Sequence, residues 1–258
     1  MPDFSYTQPP QDLLMPAGAQ WWTTVIYGSG ALLFAAYALR LAWRRRSALP
    51  LLLLVGAMLT IWLEPVVDLL GNALHPQRGQ LNLFTTNGHP VPWAVLLGYV
   101  WYFAGLPLVC YPLLEQQRLT RIFVWKAFAV VALAAAVVEQ VPLHYGVWVY
   151  YGVQPLKIGA MPSWWIFANT SAVLVPFLLL YKLWPRLTGV RQWLVPVLLP
   201  SGAFMGHAAA GWPMYNVLGT DTEHASSLLL AACSVASSGL AVVTVWVMLQ
   251  MADVRTRT

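Results

Sequence analysis

Residues 62–76 read WLEPVVDLLGNALHP and form the end of an apolar run that carries two carboxyl groups, an amide and an imidazole. Glu64 and Asp68 are one helical turn apart, and His75 follows further along. On one continuous helix these three side chains would share a face, although the proline and the glycine of the stretch can kink or end a helix. A charged group at membrane depth is costly unless it is paired, neutralised or hydrated, and it is usually functional. The stretch therefore predicts a functional site.

The composition is typical of a membrane protein. Of the 258 residues, 59% are hydrophobic and 9% are charged, and the mean hydropathy is +0.62. Soluble domains carry about a quarter charged residues, so the sequence predicts an all-α, polytopic membrane protein without a separate soluble module. The net charge of +5 comes mostly from short loops and does not indicate nucleic-acid binding. Residues 1–20 lack the basic and short apolar regions of a cleaved signal peptide.

Seven apolar runs are each close to the roughly 20 residues that a helix needs to cross the bilayer core. They comprise residues 21–43, 49–70, 92–114, 122–141, 163–184, 192–211 and 225–251. The sequence thus predicts a single seven-transmembrane-helix bundle over residues 21–251. A polar N-terminal tail, residues 1–20, precedes the bundle, and a cytoplasmic tail, residues 252–258, follows it.

Basic residues cluster in alternate loops. The loops after the first, third and fifth predicted helices and the C-terminal tail hold nearly all of the Arg and Lys, whereas the other loops hold only Arg78 and Lys157. Because cytoplasmic loops are enriched in Arg and Lys, we expect a multi-pass protein of the cytoplasmic membrane with its N-terminus outside and its C-terminus in the cytoplasm. In this orientation every histidine and most acids lie in the non-cytoplasmic half.

The acids of that half are the candidate catalytic groups. Burial of a carboxyl group in an apolar pocket favours its protonated form, which can act as a general acid near neutral pH. We expect Glu64 to have this role, with Asp221, Asp68 and Glu139 as further catalytic carboxyl groups. Alternatively, Asp221 and Glu223 are solvated residues that cap the last helix.

Single histidines on separate segments are candidate metal ligands. Together with Asp68 or Glu64 they offer the imidazole and carboxylate ligands that suit zinc or iron. The sequence has no HxxxH, HExxH or paired-histidine motif, and interfacial histidines often hydrogen-bond to backbone or lipid headgroups. A protein without a cofactor is therefore the favoured prediction. If a metal is bound, its predicted ligands are His75, His89, His144, His207 and His224.

Aromatic residues are abundant, with 14 Trp and 11 Tyr. Many belong to the aromatic belts at membrane interfaces or to the packed core, and others are placed to line a cavity that opens outward. Because aromatic faces stabilise cations, an acid among them suits carbocation chemistry on an apolar substrate. The predicted substrate-binding residues are Trp62, Asn72, Tyr99, Trp101, Tyr102, Trp148, Phe167, Asn169 and Trp212.

Two of the acids carry a family resemblance. Glu64 lies in Trp62-Leu63-Glu64 of the second predicted helix, and Asp221 lies in Gly219-Thr220-Asp221 near the start of the seventh. A small seven-helix protein with acids at these places resembles the integral-membrane terpene cyclases of meroterpenoid and indole-terpenoid pathways. The resemblance implies that Glu64 and Asp221 protonate an epoxide or alkene of a prenylated substrate.

The favoured hypothesis is a terpene cyclase of the isomerase or lyase type, which works by general acid catalysis on an apolar, isoprenoid-like molecule taken from the lipid bilayer. A second hypothesis is a metal-dependent membrane hydrolase or oxygenase that acts on a lipid through the histidines. A third is a proton-coupled carrier in which the acids relay protons. The apolar cytoplasmic half argues against the carrier, and the oligomeric state is not predicted.

Overall fold

The structure is a computed structural model and describes residues 7–220, 222 and 224–255. Within this part of the chain there are eight helices: α1 (Ala17–Arg45), α2 (Leu49–Gly71), α3 (Trp93–Val109), α4 (Tyr111–Glu115), α5 (Arg121–His144), α6 (Ser163–Arg186), α7 (Gly189–Leu218) and α8 (Ser227–Met251). Six of them, all except α3 and α4, are long and apolar enough to cross a membrane. The predicted mainly helical class is confirmed, and the six long apolar helices indicate a multi-pass membrane protein.

The helix α1 begins at Ala17, inside the predicted N-terminal tail of residues 1–20. Larger differences from the predicted runs occur at two places. The run at residues 92–114 is divided, because Cys110 leaves the helical conformation and the short helix α4 begins at Tyr111, with Pro112 in its first turn. This leaves α3 with 17 residues. The run at residues 192–211 extends to Leu218, since α7 continues through Pro213 while it packs against α6 and α8. Within a packed bundle, neighbouring helices support a helix that contains proline.

Short strands in the loops were not predicted from the sequence. Antiparallel pairs form between β1 (Ala73–Leu74) and β4 (Val149–Tyr150), between β2 (Asn82–Thr86) and β3 (His89–Pro92), and between β5 (Lys157–Ile158) and β6 (Met161–Pro162). The β2–β3 hairpin turns at Asn87 and Gly88, which both have positive φ, as the tight turns of hairpins require. The β1–β4 pair joins the segment after α2 to the segment after α5.

Helix α6 lies at the centre of the bundle and packs against α5, α7 and α8. Its contact with α7 is close because glycines of α7 face its backbone. A Cβ atom added at Gly206 would clash with the Ser171 carbonyl oxygen, and one added at Gly202 would lie 2.8 Å from Pro176 Cα. Small residues at a helix interface allow such close approach in membrane proteins.

The two ends of the bundle differ in chemistry. At one end, Arg45 Nη1 lies 3.2 Å from Glu115 Oε2, Lys182 pairs with Asp253, and Arg121 donates to Gln250. The opposite end carries the three strand pairs. There the Asn72 side chain donates to the Leu218 carbonyl at 3.3 Å. The candidate site lies beneath this second end.

Candidate active site

A cavity lies between α1, α2, α3, α5, α6 and α7, and its volume is about 140 Å³. On the same scale, one water molecule needs roughly 10–15 Å³, so the cavity has room for several waters or a small organic group. Aromatic and small apolar side chains form most of the wall. The aromatic members are Tyr27, Tyr99, Trp101, Tyr102, Phe103, Trp148, Tyr150, Trp165 and Phe204.

Glu64 and Asp68 reach the cavity from consecutive turns of α2. A short 3-10 segment, Thr60–Leu63, precedes Glu64, and the helix then continues to Gly71 in spite of Pro65. The Tyr99 hydroxyl donates to Glu64 Oε2. Asp68 is almost completely buried, with 3% exposure. The predicted shared face of these two acids is therefore present.

His75 reaches the same two acids by a chain reversal and not along a continuous helix. Asn72 ends α2 in the left-handed conformation, with φ of 53° and ψ of 49°, and β1 then turns the chain back. His75 Nε2 comes to lie 3.0 Å from Glu64 Oε1 and 3.8 Å from Asp68 Oδ2. The His75 ring lies against Trp148, with the ring centroids 5.6 Å apart.

Glu139 contributes a third carboxyl group from α5. It lies at the junction between the helical segments Arg121–Val138 and Gln140–His144, where its side chain faces the cavity. Asn169 Nδ2 donates to Glu139 Oε1 at 3.0 Å, and the Tyr150 hydroxyl donates to Oε2 at 3.3 Å. Burial, and next the charge of Glu139, raise the pKa of Tyr150 well above its ordinary value, so this phenol remains protonated and able to donate.

Several buried polar atoms at the cavity have no hydrogen-bond partner among the described residues. They are Asp68 Oδ2, His75 Nδ1, Trp101 Nε1, the Tyr102 hydroxyl and His207 Nε2. Buried polar groups are normally hydrogen-bonded, so these atoms indicate that the cavity takes water or a polar ligand group. None of the described residues that line the cavity is Lys or Arg.

Among the described residues, one cluster has the arrangement of a metal site. One ligand atom each from Glu64, Asp68 and His75 lie within 4.8 Å of one another. This cluster contains one of the five histidines predicted as possible ligands. The others are not grouped with it.

Those other histidines have separate environments. His207 lines the cavity, but its Nδ1 pairs with the Tyr215 hydroxyl. His89 is buried outside the cavity lining with Nδ1 2.9 Å from the Asn87 carbonyl, and burial lowers its pKa. His144 and His224 are exposed.

The predicted catalytic and substrate-binding residues fall into two groups. Those that line the cavity are Glu64, Asp68, Glu139, Tyr99, Trp101, Tyr102, Trp148 and Asn169. Trp62, Asn72, Phe167 and Trp212 are not among the lining residues. Asp221, and with it Glu223, lies outside the described residues.

Each of the four residues outside the lining has another contact or environment. Trp62 is 59% exposed and stacks on Phe84, because it lies two residues before Glu64 and side chains at that spacing do not share a helix face. Asn72 holds the ends of α2 and α7 together. Phe167 packs against Phe128, and Trp212 is 55% exposed.

Sequence reasoning missed five aromatic lining residues, which are Tyr27, Phe103, Tyr150, Trp165 and Phe204. Tyr150 had a usable signal, since it follows Glu139 in an aromatic segment between two helices. The other four look like ordinary helical aromatic residues in the sequence. Only the packing of α1, α3, α6 and α7 around the cavity identifies them.

Comparison with known proteins gives no assignment, since no family model, no curated protein and no solved structure matches the chain.

Proposed function

We propose that the protein is a membrane-embedded enzyme that starts a reaction of an apolar, isoprenoid-like substrate by protonating it from a carboxyl group of the cavity. The observation that carries the proposal is the meeting of Glu64, Asp68 and Glu139 in one aromatic-lined cavity. Glu139 is far from the other two in the sequence, so the cluster is a product of the fold. The expected class is a terpene cyclase of the isomerase or lyase type.

The charge balance of the cavity supports acid chemistry. Three carboxylates in one buried space, without Lys or Arg among the described lining residues, could not all be ionised at an acceptable cost. At least one of them therefore holds a proton. Glu64 is the favoured proton donor, because among these three acids it is the one on which the resemblance to the terpene cyclases rests. Asp68 and His75 adjoin it and are placed to return a proton.

The aromatic wall suits the cation that protonation of an alkene or epoxide produces. Ring faces attract positive charge, and the effect is stronger where water is excluded. The Tyr102 and Trp165 rings line the same cavity as Glu64. Glu139 adds a carboxyl group that is held in place by Asn169 and Tyr150. Asp221 remains a predicted second acid of this site.

The membrane arrangement that we propose is the one predicted from the sequence. The 17-residue helix α3 joins the six long helices as a seventh transmembrane element, and the end that carries the strand pairs faces away from the cytoplasm. Basic residues support this orientation, because they are concentrated at the opposite end, where Arg45, Arg121 and Lys182 form their contacts. The cavity then lies in the non-cytoplasmic half.

The test is turnover of polyprenyl alkenes and their terminal epoxides by the purified protein and by Glu64→Gln. General acid help is worth roughly 10²- to 10⁴-fold, so we expect the variant to lose at least about 100-fold in turnover while it unfolds at the wild-type temperature. In D₂O, an alkene substrate should gain one deuterium at carbon.

The matched control is Glu115→Gln. Glu115 is an exposed carboxyl group at the opposite end of the bundle, paired with Arg45. Its loss should leave turnover unchanged. Wild-type turnover by Glu64→Gln would contradict the assignment of the donor, and products without deuterium from an alkene substrate would contradict protonation as the first step.

A further inference from the structure

We propose that Glu64, Asp68 and His75 form a binding site for one divalent transition-metal cation, with Zn²⁺ as the best fit. The site itself does not depend on the proposed function. Its effect on turnover does rest on that function, because the cation and the catalytic proton would occupy the same carboxyl oxygens. The cation would therefore act as an inhibitor and not as a cofactor.

The geometry of the three side chains suits a metal ion. Zinc bonds to imidazole nitrogen and carboxylate oxygen are about 2.0–2.2 Å long, so two ligands of a tetrahedral ion lie about 3.4 Å apart. His75 Nε2 lies 3.0 Å from Glu64 Oε1 and 3.8 Å from Asp68 Oδ2, on either side of that value. All three ligand atoms lie within 4.8 Å of one another, so small side-chain movements complete the site.

A second observation is the state of Asp68. Its Oδ2 atom is fully buried and has no hydrogen-bond partner among the described residues. His75 Nε2, at 3.8 Å, is too far away for a hydrogen bond, and a buried carboxylate oxygen without a hydrogen bond carries a high desolvation cost. It lies beside a second carboxyl group, and no Lys or Arg is found among the described lining residues. A divalent cation would bond to this oxygen and balance both carboxylates.

The surroundings orient the ligands. The Tyr99 hydroxyl donates to Glu64 Oε2, which leaves Oε1 directed at His75. The Trp148 ring packs against the His75 ring and restricts its rotation. A hydrogen bond to a metal ligand, such as the one from Tyr99, is commonly worth 10- to 100-fold in affinity, whereas His75 Nδ1 has no such bond among the described residues. The adjoining cavity has room for the water that would complete the coordination of the ion.

The ligand set favours zinc over magnesium or calcium. One imidazole with two carboxylates suits zinc and other ions of intermediate softness, whereas magnesium and calcium prefer sites made of oxygen alone. The site is also small and largely dry. His75 and Asp68 side chains are each 4% exposed, and the Glu64 side chain is 13% exposed. Magnesium gives up its water reluctantly and usually keeps several water ligands, which a buried site of this size disfavours.

The experiment is a calorimetric titration of ZnCl₂ into the detergent-purified full-length chain after chelator treatment and removal of the chelator. We expect one Zn²⁺ per chain at this site. His75→Ala should weaken binding more than tenfold, and Tyr99→Phe should weaken it about 10- to 100-fold. Asp68→Asn is the near-isosteric second variant, with the same expected loss, in case His75→Ala does not fold.

The control is His144→Ala, which removes an exposed histidine outside the cluster and reports zinc bound adventitiously by surface imidazoles. It should retain the wild-type affinity. Absence of stoichiometric binding, or equal affinities of wild type, His75→Ala and Asp68→Asn, would overturn the cation site and leave the proposed function untouched.

Turnover of the same preparations separates the two proposals. If the chelated protein is active and Zn²⁺ inhibits it, both stand. If the chelated protein is inactive and Zn²⁺ restores it, the cation site stands and the metal-free acid mechanism is overturned. If Zn²⁺ binds with the expected losses in the variants but has no effect on turnover, the site stands and the competition between cation and proton is overturned.

Discussion

At the scale of single residues, phenols and one amide hold the carboxyl groups of the cavity in place. Tyr99 donates to Glu64, while Asn169 and Tyr150 donate to the two oxygens of Glu139. A side chain with a fixed hydrogen bond keeps one orientation, which a reacting group needs relative to its substrate. The positions of these donors thus decide where each acid points.

Asn169→Leu tests the hydrogen bond to Glu139. The change leaves Glu139 Oε1 buried without its donor, which typically costs about 1–3 kcal/mol. We expect a lower free energy of unfolding in detergent by about that amount. In a Glu139→Leu background the acceptor is gone, so the same change should cost much less. Equal costs in both backgrounds, measured by denaturant unfolding, would show that the bond does not contribute.

The sequence identifies the acids of the site better than its aromatic residues. Glu64, Asp68 and Glu139 could be predicted because a carboxyl group in an apolar run is rare and costly. A tryptophan in such a run is ordinary, and whether it lines a cavity depends on the face of the helix that it occupies and on how the helices pack. Trp62 lies two residues before Glu64, on a different face of the helix, and stacks on Phe84 instead of lining the cavity.

At the scale of secondary-structure elements, the end of α2 makes the site possible. Asparagine adopts the left-handed conformation more easily than most residues, and Asn72 uses it to end the helix. The chain then pairs with β4, and the Tyr151 amide donates to the Asn72 carbonyl at 2.8 Å. This reversal brings His75 back to Glu64. Apolar runs predict helices well, but two-residue strands depend on partners distant in the sequence and give no periodic signal.

Gly206→Ala tests the close contact between α6 and α7. The added methyl group would clash with the Ser171 carbonyl oxygen, which belongs to backbone and cannot move away cheaply. Overpacking of this kind commonly costs about 1–3 kcal/mol, so we expect a lower unfolding temperature in detergent.

Gly239→Ala in α8 is the matched control, since nothing lies within 4 Å of a Cβ atom added there. The same helix substitution without the clash should leave the unfolding temperature unchanged or raise it slightly. If the two variants unfold at the same temperature, the packing of α6 on α7 does not depend on a glycine at position 206.

At the scale of the whole molecule, the bundle has a charged end and an end covered by strand pairs. Ion pairs and hydrogen bonds of Arg45, Lys182 and Arg121 join the helix ends at the first. The polar groups of the cavity lie toward the second. This asymmetry could be read from the sequence, because loops of opposite character alternate along the chain. The cavity could not, since its shape depends on how six helices pack.

Cysteine labelling in intact cells tests the orientation. With Cys110 and Cys233 replaced by alanine, a membrane-impermeant maleimide should label Arg78→Cys but not Arg186→Cys, since both positions are exposed but belong to opposite ends. After permeabilisation both should react. The opposite labelling pattern would place the cavity in the cytoplasmic half and contradict the positive-inside assignment.

The β2–β3 hairpin has a practical consequence for handling the protein. Asn87 and Gly88 are exposed at its turn, and nothing lies within 4 Å of a Cβ atom added at Gly88. Exposed loop tips tolerate inserted segments better than packed elements do. An epitope inserted there would project from the end of the bundle that carries the cavity. An antibody against it could separate membrane vesicles by the face that they present. Its Fab fragment could also serve as a fiducial marker for electron microscopy of so small a protein.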